Sequence, residues 1–197
     1  MMSGGHAELP VAARVRAFEE RVIAAGLTTD AELEEILAGV YASASPVNGA
    51  RMVARAWTDR AYRDRLLADG NAAAAELGFA AGTRGYLLKV VQNTAGVHNV
   101  IVCTLCSCYP TSLLGPSPTW YKSFAYRSRV VREPRAVLAE FGLELPEDTE
   151  IRVWDANSET RYLVLPLPPE SADGLDEDAL ASLVSRNGLV GLSLIHI

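Results

Sequence analysis

Cys103, Cys106 and Cys108 are all of the chain's cysteines, and they crowd into the run Cys103-Thr104-Leu105-Cys106-Ser107-Cys108. A Cys-Ser-Cys tripeptide can wrap one metal ion with the Cys106 sulfur, the backbone nitrogens of Ser107 and Cys108, and the Cys108 sulfur. Fused chelate rings then close in one N2S2 plane. Cys103 caps that plane from one axial side and leaves the opposite position open, which is what a catalytic metal needs. Displacing protons from backbone amides demands a strongly Lewis-acidic centre. The expectation is therefore a trivalent, six-coordinate ion, cobalt or iron, rather than zinc or calcium.

Simpler readings of the same residues stay open at this point. A structural zinc would use the three thiolates with His98, since Cys-x-x-Cys with a nearby His is an ordinary zinc set. Against it, Cys106 and Cys108 are separated by a single residue, closer than zinc knuckles favour. A disulfide with one thiol left over fits an odd cysteine count poorly. An iron–sulfur cluster wants four cysteines and fails on number.

The claw and its surroundings resemble the alpha subunit of nitrile hydratase. The resemblance rests on Cys103–Cys108, preceded by Val97-His98-Asn99-Val100-Ile101-Val102 and followed by Tyr109-Pro110 and Trp120-Tyr121-Lys122-Ser123. Ala54-Arg55-Ala56-Trp57 and Leu66-Leu67-Ala68-Asp69-Gly70 continue it upstream. Downstream it runs through Tyr126 to Arg135, Ile151 to Asp155 and Arg161 to Pro166. It thus spans nearly the whole chain.

That resemblance implies hydration of a small-molecule nitrile to its amide. A trivalent metal at the open position either polarises the nitrile or acidifies a bound water. Cys103, Cys106, Ser107 and Cys108 are implied as metal ligands, and Cys106, Ser107 and Cys108 as the groups at the reaction. Cys106 is implied to become a sulfinate and Cys108 a sulfenate, whose oxygen is itself a candidate nucleophile. Cationic donors for these anionic oxygens would come from arginines of a beta subunit, so a heterodimer, a heterotetramer or a three-subunit complex is implied. An activator protein would insert the metal. Thr104 points to cobalt (Co3+) over iron, because the family's iron enzymes carry serine there.

Several departures from the family bear on substrate. Thr111-Ser112 stands where many relatives have Trp-Pro, which widens the pocket. Arg84 replaces an expected glutamine and Gln92 an expected glutamate. The Tyr-Pro pair after the claw also resembles the gamma subunit of thiocyanate hydrolase, the chief rival reading, with a non-catalytic zinc module behind it. In that rival an arginine at the Thr111 position would hold the anion, so a neutral, heteroaromatic nitrile of the toyocamycin kind is the expected substrate. His98 reads as a satisfied strand histidine rather than a ligand. Arg127, Arg129, Arg132 and Arg135 read as intersubunit salt bridges rather than catalytic groups.

The rest of the chain must position the claw. With 197 residues, 49% hydrophobic, it is long enough for one substantial core. A net charge of −6 argues against nucleic acid as a partner. No apolar run approaches a membrane span, and Met1 to Pro10 lacks the regions of a signal peptide, so cytoplasmic location is the default. The fold class expected is α+β, or mixed α/β. Residues 1–85 form a helical, partner-contacting region, and residues 86–197 a layered α/β catalytic domain.

In the first region, Val11 to Ala25 carries an apolar stripe stopped by Gly26, and Thr29-Asp30-Ala31-Glu32 is a capping box opening a helix towards Tyr41. Further helices are expected from Arg51 to about Asp69 and from Ala72 to Leu77, closed by Gly70 and Gly78. In the second, Tyr86 to Val91 and Val97 to Val102 read as neighbouring strands, the latter delivering Cys103 from its end. Prolines keep the segment after the claw non-helical until Trp120. Pro134 opens a helix ending at Phe141. Glu150 to Trp154 and Arg161 to Leu165 read as a hairpin about Asn157 and Ser158, and Asp176 to Val184 as the last helix. Leu192 to Ile197 departs from the family's ending and reads as a tail produced by sequence assembly.

Overall fold

The computed structural model describes residues 10–79 and 85–193. The chain divides into two compact units, residues 1–42 and 43–197.

The first unit is helical. Helix α1 (Val11–Ala24) ends where Gly26 turns at φ +69, and helix α2 (Asp30–Ser43) follows. The capping box is formed in both directions: Glu32 N donates to Thr29 Oγ1 at 3.2 Å, and Thr29 N donates to Glu32 Oε2 at 2.9 Å. Neither helix buries a residue, and Val11, Val15 and Phe18 of the α1 stripe are exposed, as are Ile36, Leu37 and Tyr41 of α2.

The second unit begins with α3 (Pro46–Thr58), capped by Ser45, whose side chain accepts from Val47 N. The face of α3 built from Gly49, Ala50, Met52, Val53, Ala54 and Ala56 is buried. The long helix expected from Arg51 to Asp69 is broken in two. Asp59 turns out to be an N-cap, accepting from Tyr62 N, so α4 (Arg60–Ala68) starts afresh. Asp69 does the same for α5 (Gly70–Glu76) through Ala72 N. Gly70 is therefore not a stop signal but a contact point: a Cβ there would sit 2.6 Å from the Leu88 carbonyl oxygen. Gly78, at φ +77, does end α5 as expected.

Four strands follow: β1 (Leu87–Gln92), β2 (Val97–Val102), β3 (Glu150–Asp155) and β4 (Thr160–Leu165). Two strand expectations are corrected here. β1 and β2 do not pair along their length, nor do β3 and β4 form a hairpin. β1 pairs in parallel with β4, Leu87 opposite Thr160, and β2 in parallel with β3, Val97 opposite Glu150. Parallel strands are covered on both faces, which is why β2 is buried from His98 to Val102, its two polar residues His98 and Asn99 included. Local side chains divert the chain at both apparent hairpins. Asn157 Oδ1 accepts from Glu159 N and Thr160 N, forming a turn that aims β4 away from β3. Between β1 and β2 only a single bridge forms, Thr94 with Val97.

Asn99 ties the two sheets together. Its Nδ2 donates to Gln92 O at 2.8 Å and to Asn93 Oδ1 at 3.0 Å, and its Oδ1 accepts from Trp154 Nε1 at 2.8 Å. His98 beside it is buried, with Nδ1 3.3 Å from Asn93 Nδ2 and Nε2 2.7 Å from Gly191 O. These contacts suit a neutral ring, and burial holds its pKa below the ordinary 6.5. The unfolded chain therefore takes up a proton before the folded one does. The stability this ring confers is present above pH 6.5 and is lost as the pH falls from there towards the folded value. Thermal melts of the metal-free protein between about pH 8 and about pH 5 are expected to show that loss, with a flatter profile for His98→Gln. Parallel profiles for the two proteins would contradict it.

Between β2 and β3 the chain forms short helices α6 (Thr111–Leu114), α7 (Thr119–Lys122), α8 (Phe124–Arg129) and α9 (Pro134–Glu140). The α6 turn corrects the expectation of non-helical chain before Trp120: Pro110 O accepts from Leu113 N and Leu114 N, so the proline opens a turn rather than preventing one. α9 begins at Pro134 and is followed by Gly142 at φ +80, as expected. After β4, Asp176 caps α10 (Glu177–Leu183), which packs on α3. A 3-10 turn at Gly188–Val190 leads into Leu192, fully buried, and Ser193, whose Oγ lies 2.9 Å from Ser185 Oγ. The first two residues of the suspect tail are thus packed into the fold, and residues 194–197 lie outside the described residues. Among the described residues no helix is long and apolar enough to cross a membrane.

Candidate metal centre

The claw leaves the carboxyl end of β2. The β2–β3 ladder extends one step past the strands, Ala156 N donating to Val102 O at 2.7 Å, and Cys103 follows with no exposed surface. Beyond it the loop rises into solvent, with Leu105 83% exposed. Cys103 is buried, Cys108 half-buried and Cys106 exposed, and none is in a disulfide. A rigid strand thus fixes the inner sulfur while a short loop carries the outer two.

Three anchors hold that loop. Asp155, at the end of β3, accepts from Thr104 N at 2.9 Å and from Thr104 Oγ1 at 2.6 Å. Tyr121 OH donates to Cys108 O at 3.0 Å from beneath. Arg127 Nη1 donates to Cys106 O at 3.2 Å and, at 3.4 Å, to Thr104 O. Tyr121 is itself locked in an aromatic cluster of edge contacts, 4.8 Å from the Tyr109 ring and 5.9 Å from Trp120, which packs 5.1 Å from Phe141. The adjoining Tyr126 OH donates to Ile101 O at 2.6 Å. Replacing Asp155 with Ala removes both bonds to Thr104. The outcome expected is a drop in metal affinity of about 10- to 100-fold, the usual cost of losing a group that orients a ligand loop. Metal titration of wild type and Asp155→Ala side by side reads it, and equal affinities would disprove the anchoring role.

The sulfurs of Cys103, Cys106 and Cys108 all lie within 4.8 Å of one another. Cys106 Sγ is 3.5 Å from Cys103 Sγ and 3.3 Å from Cys108 Sγ. With metal–sulfur bonds of about 2.3 Å, adjacent sulfurs stand roughly 3.3 Å apart at right angles and roughly 3.8 Å apart on a tetrahedron. The 3.3 Å separation of Cys106 and Cys108 matches the right-angled arrangement, and the 3.5 Å separation of Cys103 and Cys106 lies midway between the two. Hydrogen bonding from Cys108, then Cys103, then the amides of Ser107 and Cys108 pulls the Cys106 thiol down to about 7. Burial, followed by the shared proton with Cys106, pushes Cys108 up to about 12. The donor set of three soft, convergent sulfurs fits a thiolate-bound transition-metal ion.

The structure brings the sulfurs of Cys103, Cys106 and Cys108 together, with Ser107 between the last two in the chain, and leaves His98 out. That histidine is committed to Asn93 and Gly191, and the metal-competent group among the described residues holds the three cysteines alone. Arg84 lies outside the described residues. The four arginines expected as intersubunit bridges are used within the chain. Arg129 pairs with Glu133 and Glu140, Arg132 Nε donates to Ser128 O, and Arg135 donates to carbonyls from Leu145 to Thr149. Only Arg127 reaches the claw.

Arg161 was missed by the sequence reading. It stacks 5.0 Å from the centre of the Tyr86 ring, donates to the Asn157 and Thr160 carbonyls, and its charge favours the Cys108 thiolate. The claw is therefore not without cations of its own. No local motif announces either arginine, because each is carried by another element.

A strand-end loop carrying three convergent sulfurs, with Arg127 donating to its carbonyls, defines a candidate thiolate metal centre on a mixed α/β fold. The chain belongs to the nitrile hydratase alpha-chain family: the family model described as "Nitrile hydratase, alpha chain" matches residues 9–193. It is 47% identical over 184 residues to the cobalt-containing nitrile hydratase subunit alpha of Pseudonocardia thermophila, covering 92% of this chain and 89% of the relative. It is 45% identical over 159 residues to the thiocyanate hydrolase subunit gamma of Thiobacillus thioparus, covering 76% of this chain and 65% of that one. Among solved structures, a double mutant of the Fe-type nitrile hydratase from Comamonas testosteroni Ni1 superposes with a TM-score of 0.88 at 41% identity, covering 94% of this chain and 90% of that chain.

Proposed function

We propose that this chain is the metal-binding subunit of a cobalt nitrile hydratase, converting a nitrile to its amide in complex with a beta-type subunit. The observation that carries the reading is the convergence of the three cysteine sulfurs within 4.8 Å of one another. Cys103, Cys106 and Cys108 supply sulfur ligands, and Ser107 and Cys108 supply amide nitrogens. Thr104 and the cobalt-containing relative favour cobalt over iron. Bound there, a trivalent ion supplies Lewis acidity for polarising a nitrile or acidifying water.

The chain's own residues do the rest. Cys103 anchors the site in the core. Exposed Cys106, held at about 7, and half-buried Cys108 are the thiols open to oxidation, to a sulfinate and a sulfenate respectively. Asp155, Tyr121 and Arg127 keep the loop in its chelating shape, and Arg161 places positive charge beside Cys108. Thr111 and Ser112, small where an aromatic wall is common, leave room for a bulkier neutral substrate; Ser112 Oγ lies 3.2 Å from Tyr86 OH. The exposed apolar residues of α1 and α2 supply a surface for the partner subunit. A cytoplasmic location keeps the thiols reduced until an activator protein delivers the metal.

The test is to coexpress the chain with its beta partner, determine the metal, and assay a panel of aliphatic and heteroaromatic nitriles together with thiocyanate. About one cobalt per chain and amide formation are expected. Iron in the same site would correct the metal alone. Turnover of thiocyanate but of no nitrile would replace this reading with a thiocyanate hydrolase, and native zinc without turnover would end it.

A further inference from the structure

Arg127 is the one arginine of its segment spent on the claw, and its surroundings show what for. It lies on α8, half-buried, with its guanidinium carbon 4.7 Å from the centre of the Phe124 ring. Its Nε is buried without a hydrogen-bond partner. Among the described residues no carboxylate comes within ion-pair distance of it, whereas Arg129 two positions on holds two. The acceptors it does have are the carbonyl oxygens of Cys106 and Thr104. A partly desolvated cation without a counter-ion is costly unless a negative charge is due to appear beside it.

The Cys106 carbonyl is where that charge appears. It belongs to the peptide unit whose nitrogen is Ser107 N. If Ser107 N were to bind a metal, its N–H proton would leave to solvent, the electron pair of that bond would become the donor pair to the metal, and the nitrogen's π pair would shift negative charge through the peptide onto the Cys106 oxygen. A guanidinium hydrogen bond to an oxygen bearing that charge gains a Coulombic attraction between opposite charges that a bond to a neutral carbonyl lacks.

We propose that Arg127 is a positioning residue for metal capture: its guanidinium orients the Cys106–Ser107 peptide and compensates the negative charge this peptide carries once Ser107 N is a ligand. The proposal rests on the assignment of the claw as the metal centre. Asp155 and Tyr121 hold the loop's ends by hydrogen bonds outside that peptide unit, so Arg127 alone couples loop shape to the charge of a chelating peptide.

The experiment loads the coexpressed complex across a series of cobalt concentrations and measures cobalt per chain, the sulfur-to-cobalt charge-transfer absorption, and the thermal midpoint of the metal-free complex. Arg127→Gln is expected to raise the cobalt concentration for half occupancy roughly tenfold or more and to shift the absorption band. Its metal-free midpoint should stay close to that of wild type. Arg127→Lys, which keeps the charge, should recover part of the loss. Arg129→Gln, which removes a neighbouring guanidinium not directed at the claw, should load like wild type. Unchanged loading and absorption in Arg127→Gln would overturn the proposal. So would an equal loss in Arg129→Gln, or an Arg127→Lys protein that folds and loads no better than Arg127→Gln. Failure of the wild-type complex to take up cobalt would instead overturn the assignment of the claw.

Discussion

Cys106→Ser, made in the coexpressed complex, is expected to leave less than about a tenth of the normal cobalt and to lower nitrile hydration roughly a thousandfold or more. Cys106 is the sulfur within 3.5 Å of both other sulfurs, so it holds the corner on which the chelate closes. Serine oxygen is a harder and far less acidic donor than a thiol already pulled down to about 7. Lewis acidity at such a centre is worth several kcal/mol of transition-state stabilisation, and each 1.4 kcal/mol or so is a factor of ten in rate. Because Cys106 is exposed, the metal-free variant should melt close to wild type. Cys103→Ser, at a buried position, should lose the metal and some stability together. Metal analysis with steady-state assay separates the two, and a cobalt-free Cys106→Ser protein that still turned over nitrile at the wild-type rate would remove the claw from the mechanism.

Gly191→Ala should be the most damaging single methyl group in the second unit. Gly191 has φ +85, where side chains are disfavoured, and a Cβ there would overlap the Asn99 carbonyl oxygen and lie 3.1 Å from Val100 Cα. Both obstacles are backbone atoms of β2, so neither can rotate away. The 3-10 turn would have to lift from the strand, breaking the 2.7 Å contact between His98 Nε2 and Gly191 O and unseating buried Leu189, Val190 and Leu192. Left-handed strain and overpacking together cost about 3–5 kcal/mol. That is a large share of the roughly 5–15 kcal/mol that a domain has to lose. Urea unfolding of the metal-free complex measures it, and a loss under about 1 kcal/mol would mean the turn is free to move. β2 also delivers Cys103, so metal uptake should fall with stability.

The two outcomes differ in how far each was legible in the residues. The claw closes through consecutive residues, Cys106, Ser107 and Cys108, with Cys103 one turn of chain away. The convergence of its three sulfurs is therefore a local property of six consecutive residues. Caps are equally local, which is why the Thr29–Glu32 box and the Pro134 helix start appear where their residue types place them. Asp59 carries the same signal within the single helix expected from Arg51 to about Asp69, and Asp69 caps α5 at the point where Gly70 was expected to close the preceding helix.

Strand pairing is another matter. β3 and β4 carry a turn between them and would suit a hairpin, yet each is drawn to a partner far earlier in the chain, where burial on both faces is gained. No pattern within either strand distinguishes the two outcomes.

What the sequence determined by itself was the metal-binding chemistry, the family and the local helix signals, all of which depend on neighbours in the chain. Only the tertiary structure decided that two parallel pairs replace the hairpins, that Gly191 is the seat of a turn against β2, and that Arg127 reaches the claw. Those contacts join residues brought together by core packing, and the free energy that selects them lies in buried surface shared between distant segments.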